Sequence, residues 1–337
     1  HNPRLTLDSN CLPPNKLKSL YFPLIHIGKI RIVTLKGFAG YAACRMAHFL
    51  LKHSPTIDTI IFQGYNGSTL KPGQIRMEKV PARKLLSFGF VDCRLEGNVI
   101  PGIFEELAKY KGEIQRISFD GVSLSLQSWN SVFDSITNER PFKTVEIFEF
   151  NNNESIEINN QAATSTFIKL FAHRRFIQTF SCSSWQQPLV LGFNFYNNVS
   201  MLSEVVLQKQ NFTEPFPNSF RIPVYSHLID FSGSSFTVQS LQSLFRALSY
   251  QKPPIFLHLA DLQLSDSEFS EFYQSLLSLP PVTCIRELNW SGNKLNPSDI
   301  DNFHQYFFRN NKIRSLHINK MFGSQHLEDL RALFNLI

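Results

Sequence analysis

His48 and His53 share one helical stretch, but at five residues apart they turn away from a common face, so we expect two exposed histidines and no shared metal ion. Zinc is held by paired Cys or His at short spacing, and neither Cys-x-x-Cys nor His-Glu-x-x-His occurs. A serine nucleophile raised on a Gly-x-Ser-x-Gly turn is absent as well. Gly28-Lys29 lacks the upstream glycine and the following Ser or Thr that would make it a phosphate-binding loop, and there is no Gly-x-Gly-x-x-Gly. The five cysteines, Cys11, Cys44, Cys93, Cys182 and Cys284, are odd in number and widely spaced, which argues against a disulfide framework and for a reducing, cytoplasmic setting. Cys93 and Cys182 fall at positions that read as core, so we expect inert buried thiols. The sequence thus predicts no catalytic residue, no metal, no cofactor and no small-molecule substrate.

The composition is globular: 43% hydrophobic, 18% charged, with Phe occurring 32 times in 337 residues. No apolar run approaches the roughly 18 residues that a membrane helix needs; the densest, Tyr21 to Val33, is broken by Pro23, His26, Lys29 and Arg31. The net charge of +6 is spread thinly. Its densest group, Arg309, Lys312, Arg314 and Lys320, reads as a solvated helix end and loop, and nucleic acid is not the expected partner.

A repeat organises the rest. Leu85 to Leu95, Ile114 to Leu124 and Ile285 to Leu295 share one pattern: apolar residues at the first, fourth, sixth and eleventh places. Carried along the chain, the second apolar place falls at Leu5, Val33, Ile60, Phe88, Ile117, Val145, Phe180, Val205, Ile229, Leu257, Leu288 and Leu316, mostly about 28 residues apart. The third lies two residues later each time and is always apolar, whereas the residue between is mostly polar. That alternation is a short strand with one buried and one open face. Helical stripes lie between most strands. Ser265 to Glu268 form a capping box ahead of Phe269, Phe272, Tyr273, Leu276 and Leu277. Asn296-Pro297 opens another, before Ile300, Phe303 and Phe307. Leu241, Leu244, Phe245 and Leu248 form a third, Trp129, Val132, Phe133 and Ile136 a fourth, and Phe167, Leu170 and Phe171 a fifth.

This pattern resembles the leucine-rich-repeat family, and a unit of about 28 residues with a full helix resembles its ribonuclease-inhibitor-like class. The resemblance implies an α/β solenoid, a horseshoe with parallel strands on the concave face and helices on the convex one. We expect one domain over 1–337 with about twelve repeats. Two departures stand out. The family has Asn three residues past the third apolar place, where its side chain ties down the loop backbone. Here only Asn10 and Asn293 are Asn, and Phe38, Cys93, Val122, Phe150, Gln210, Ser234 and Leu262 stand elsewhere. We therefore expect the ladder to be mostly missing and replaced by apolar packing. The second departure is the stretch 145–229, with an Asn-rich insertion at 151–160 and two short repeats containing Pro188, Pro215, Pro217 and Pro223. Those repeats have no room for a three-turn helix, so extended or 3₁₀ segments are expected. The irregularity is either drift in a tolerant array or a break that shapes a partner site. The first strand has no capping unit before it, and a stripe of Leu327, Leu330, Leu333 and Phe334 runs into the terminus, so we expect a segment of a longer protein.

A stack of strands presents its open-face side chains as an ordered array, which is a surface for recognising another protein. The residues expected to bind a partner are Arg116, Ser118, Glu146, Phe148, Glu204, Val206, Asp230 and His258. Phe148 and Phe256 are large apolar residues at predicted open positions, either anchors for a partner or packed on their neighbours. The array is similar to that of CARMIL-type actin regulators and tropomodulin-like proteins, which implies a cytoskeletal or signalling role. Two alternatives remain open: a nucleic-acid-binding repeat protein, and the repeat arm of an enzyme whose catalytic domain lies outside this segment.

Overall fold

Short runs that alternate apolar and polar side chains can bury one face only, and in this chain they pair with their own next copy. A computed structural model describes residues 3–11, 19, 23, 28–38, 40–64, 66–67, 76–95, 99–153, 177–183, 202–217, 220, 225–309 and 313–321. Contacts divide the chain into two units, His1–Gln178 and Thr179–Ile337. In the first, β1 (Arg4–Asp8), β2 (Ile32–Lys36), β3 (Thr59–Gln63), β4 (Lys84–Val91), β5 (Glu113–Asp120) and β6 (Ile147–Asn151) lie side by side in chain order, each parallel to the next. In the second, β7 (Thr179–Ser183), β8 (Glu204–Val206), β9 (Leu228–Asp230), β10 (Ile255–His258), β11 (Ile285–Asn289) and β12 (Ser315–His317) do the same. Parallel neighbours require a crossover of a dozen or more residues. The crossovers include α1 (Gly40–His53), α2 (Val99–Ala108), α3 (Leu126–Asn138), α4 (Val238–Ser249), α5 (Asp266–Ser275) and α6 (Ile300–His304), the last running into a π turn. This is an α/β fold with parallel sheets.

The register follows the expected column with one exception. Leu5, Val33, Ile60, Phe88 and Ile117 are partners in the first unit. Phe180, Val205, Ile229, Leu257, Leu288 and Leu316 are partners in the second. At β6, however, the partner of Ile117 is Phe148, not Val145. Val145-Glu146-Ile147 and Phe148-Glu149-Phe150 are both apolar–Glu–apolar, so alternation cannot choose between them. A 3₁₀ turn at Arg140–Phe142 consumes the extra residues, burying Phe142 and leaving Val145 buried ahead of the strand. The corrected third apolar residue is Phe150, and three residues beyond it stands Asn153.

Asn153 qualifies a second expectation, because it belongs to a ladder that is present at five of the ten described positions. Its Nδ2 donates to the Phe119 carbonyl at 3.3 Å and its Oδ1 accepts from the Val122 amide at 2.9 Å. Asn293 repeats this in the second unit, donating to Leu259 O at 2.6 Å and accepting from Leu262 N at 2.8 Å. Other side chains at the same place reach the same carbonyl of the preceding rung. Cys93 Sγ donates to Phe62 O, Gln210 Nε2 to Cys182 O, and Ser234 Oγ to Leu207 O. Buried backbone groups must find a partner, and thiol, amide and hydroxyl all serve. Between these polar rungs, Phe38, Val122, Leu262 and Met321 are buried, so apolar packing takes over there as expected. Asn10, by contrast, is exposed, and its turn is held by its backbone amide donating to Asp8 Oδ1 at 2.9 Å.

Ten rungs bend at a left-handed residue two places past the third apolar position: Gly37, Gly64, Asp92, Gly121, Asn152, Lys209, Gly233, Asp261, Gly292 and Lys320. Glycine adopts that conformation without strain, and Asn and Asp tolerate it.

The abundance of Phe is explained by a column. Phe62, Phe90 and Phe119 are register partners on adjacent rungs, and their rings stack at 5.4 Å and 5.5 Å. Phe104 of α2 and Trp129 of α3 close over them at 6.1 Å from Phe90 and 5.1 Å from Phe119. In the second unit Trp290 lies 5.9 Å from Phe272 of α5, and its indole N–H donates to Tyr273 Oη. The expected helices at Trp129, Leu241, Phe269 and Phe303 all form, although Leu277 is turned outward. The stripes at Phe167 and Leu327 lie outside the described residues. Where the short repeat Val205 to Ile229 is described, it has no helix. Phe212, Phe216 and Phe220 fill the space beside Phe231 and Phe236 instead.

Candidate functional site

The face of each sheet opposite the aromatic core is built by the residues that alternate with the buried column. In the first unit the expected site residues Arg116 and Ser118 are on this face of β5, both partly exposed. Arg116 is not solitary: its guanidinium forms a bidentate pair with Glu149 one strand over, Nε to Oε2 at 3.0 Å and Nη2 to Oε1 at 2.7 Å. Glu149 is the open-face residue of β6 in the corrected register. Glu146, expected there, precedes the strand, and its carboxylate accepts from Gln115 Nε2 at 3.3 Å. Phe148 is fully buried, 6.0 Å from Phe133 of α3, so it belongs to the core and not to the open face. The three-residue slip in register carried it across the sheet, since a side chain's face is set by its parity in the strand.

In the second unit Glu204 and Val206 sit on β8, Asp230 on β9 and His258 on β10, and the register makes Val206, Asp230, His258, Asn289 and His317 neighbours in one row. Acids and imidazoles alternate across four strands. His258 Nδ1 is 3.8 Å from Asp230 Oδ2, and its Nε2 is 3.5 Å from Glu287 Oε1. His317 Nε2 is 3.5 Å from the same Glu287 oxygen, and His227 Nε2 is 3.6 Å from Glu204 Oε1. Asp230 is only 8% exposed. Besides His258 it accepts from Gln208 Nε2 at 2.6 Å and from Ser232 N at 2.8 Å, so it is an organiser of the row and not a side chain free to meet a partner. His258, Glu204 and Val206 are partly exposed, and Phe256 is 42% exposed, one of the few large apolar side chains left open. The eight expected residues are therefore divided between the two units, and Phe148 is removed.

The charges in the row tune one another. Hydrogen bonding to Asp230 raises the His258 pKa above its ordinary 6.5 against the opposing pull of burial, with the charges of Asp230 and Glu287 adding to the rise. Burial by itself would raise Asp230, but hydrogen bonds from His258, Ser232 and Gln208 outweigh it and hold the carboxyl below 3.8. The signs fix a pH window. A histidine with a raised pKa contributes in full below 6.5 and loses its contribution as pH climbs through the raised value. An aspartate with a lowered pKa contributes above 3.8 and loses it as pH falls through the lowered value. Both are charged together between those limits. We expect the His258 Cε1 proton to titrate in NMR with a midpoint above 6.5 in the wild type, moving down in Asp230→Asn. A wild-type midpoint at or below 6.5 would show that the row does not act as a unit.

No group of His, Cys, Asp and Glu among the described residues is arranged to hold a metal ion. All five cysteines are free thiols, with Cys44, Cys93, Cys182 and Cys284 buried. Burial pushes Cys182 upward and Cys284 up to about 11, so neither is a ready thiolate at neutral pH. His53 is exposed and lies 4.7 Å from the Phe49 ring, but His48, expected to be exposed, is half-buried, and burial lowers its pKa. No helix among the described residues is long and apolar enough to cross a membrane.

Three residues on or beside the open face escaped the sequence reading. Glu149 was hidden by the register of β6, which Asn153 would have revealed. Glu287 occupies the same column as Arg116, Glu204 and Phe256, one residue before the buried column, and could have been found there. Arg286 could not, because its position depends on a bulge: between Ile255 and Phe256 the register on β11 jumps from Ile285 to Glu287, leaving Arg286 as the extra residue.

No protein-family model matches the chain, and no curated protein matches it.

Proposed function

We propose that this chain is a non-catalytic scaffold for protein–protein interaction, a leucine-rich-repeat solenoid of the ribonuclease-inhibitor-like class that meets its partner on the open strand face. The observation that carries the reading is the contrast between the two faces of the sheets. One face is filled by stacked aromatic and aliphatic columns. The other holds partly exposed polar and charged side chains, Ser118 and the Arg116–Glu149 pair in the first unit, and in the second Glu204, Val206 and the His258 row with Phe256 exposed among them. The ladder side chains, each tying a loop to the carbonyl of the preceding rung, support the family reading independently. Aromatic and Arg residues surrounded by such polar groups are the usual composition of a protein-recognition surface. A cytoskeletal or signalling partner is the class that the resemblance favours.

The test is affinity capture from cell lysate with the wild-type chain and two open-face variants, Ser118→Arg in the first unit and Val206→Arg in the second. Both positions are partly exposed, so thermal stability should hold within about 0.5 kcal/mol. Glu271→Arg, on an exposed part of α5, is the control. At least one open-face variant should lose a partner that the wild type and Glu271→Arg both retain. If all four proteins retain the same partners, the open face is not the binding surface.

A further inference from the structure

Resting on that reading, one place on the open face of the second unit is singled out by shape and charge together. Phe256 of β10 forms one wall of a shallow depression, with His227 beside it, their rings edge to face at 6.3 Å. Glu287, Ser315, Arg286 and Arg314 line it as well. The backbone holds this arrangement in place. Phe256 N donates to His227 O at 2.6 Å, and Arg314 N donates to Arg286 O at 2.8 Å, so each wall is tied to the strand next to it. The register jump sets Glu287 opposite Phe256 and leaves Arg286 as the extra residue of the bulge, and both line the depression. One guanidinium nitrogen of Arg286, Nη1, donates to Thr283 O at 3.2 Å.

We propose that this depression binds an acidic segment of a partner protein in which an apolar side chain stands beside carboxylates. The apolar side chain packs on Phe256, and the carboxylates lie between Arg286 and Arg314. Arginine suits this because its planar fork meets a carboxylate with two parallel hydrogen bonds. An exposed aromatic ring flanked by arginines is the arrangement that concentrates binding energy in protein interfaces. A polyanion such as nucleic acid fits less well. Glu287 lines the same depression, and Glu204 and Asp230 lie on neighbouring strands of the same face, so a phosphate backbone laid along it would meet negative charge. A peptide places its carboxylates at the arginines and can turn other side chains toward His227 and Ser315.

Fluorescence anisotropy of the full chain with three labelled probes tests this: a short peptide of repeating Glu-Glu-Leu, its Gln-Gln-Leu counterpart, and oligothymidylate. The acidic peptide should bind about tenfold more tightly than the Gln peptide. Phe256→Ala, and the pair Arg286→Gln with Arg314→Gln, should each weaken it by about tenfold. Arg246→Gln, on the exposed side of α4, should leave binding unchanged. Equal binding of the two peptides, preference for oligothymidylate, or indifference to both sets of substitutions would overturn the assignment. The capture experiment separates this from the broader reading. A partner lost in Val206→Arg but kept by the Phe256 and arginine variants refutes the depression as the site and leaves protein binding on the open face standing.

Discussion

Replacing Phe119 with alanine is expected to cost about 3–5 kcal/mol, one of the two largest effects of a single truncation in this chain. Phe119 is fully buried at the centre of the aromatic column. It stacks on Phe90 at 5.5 Å and an interplanar angle of 7°, and it meets Trp129 edge to face at 5.1 Å. Phe104 lies 5.8 Å away, and Phe150 of the next rung 6.3 Å. Alanine would remove the ring on which neighbours from β4, β6, α2 and α3 converge, and rigid aromatic neighbours collapse poorly into the space left behind. Leucine retains most of the volume and should cost less, by about 2 kcal/mol or more. Because the chain divides into two units, unfolding should be read unit by unit and not as a single transition. Amide exchange across β4, β5 and β6 is the direct measurement. If Phe119→Ala left those amides as protected as in the wild type, the aromatic column would not be what holds the first unit.

Asn293→Ala should cost about 2–6 kcal/mol, by a different mechanism. The asparagine is fully buried and makes one donated and one accepted backbone hydrogen bond, to Leu259 O and from Leu262 N. Alanine leaves both groups unpartnered in a site with little access to water, and each such group costs about 1–3 kcal/mol. The signature is local: the Leu262 amide should lose its protection against exchange beyond what global destabilisation explains. Asn10 supplies the internal control. It occupies the same place in its repeat but is exposed, so Asn10→Ala should change stability by less than about 0.5 kcal/mol. Equal effects at the two positions would mean that the asparagine acts through local turn propensity and not through its bonds to the preceding rung.

These two residues also show how far the amino-acid sequence carries. Phe119 was legible as core because strand alternation is a local property: its parity relative to Ile117 places both on one face whatever lies beside them. Asn293 was legible because its repeat is regular. Asn153 was not, although it makes the same two bonds, because a 3₁₀ turn upstream shifted β6 by three residues and an identical apolar–Glu–apolar triplet concealed the slip. That error moved Phe148 from the core to the open face and put Glu146 in the place of Glu149. The other ladder side chains, Cys93, Gln210 and Ser234, are not legible from the family pattern, because that pattern specifies asparagine alone at the position. What the site demands is any short group that can donate to a carbonyl of the rung before.

The sequence by itself determined the period, the parity of nearly every strand and the helices between them, because these follow from side-chain patterns within a few residues of one another. Only the tertiary structure decided which rung β6 matches, that Arg116 is held by Glu149, that Asp230 is buried by its own partners, and that Phe256, Arg286 and Arg314 line one depression. Each of those depends on a neighbour about one repeat away along the chain. The choice among candidate neighbours is made by backbone groups that must be hydrogen-bonded and by charges that must be paired, and such demands leave no mark on the local pattern.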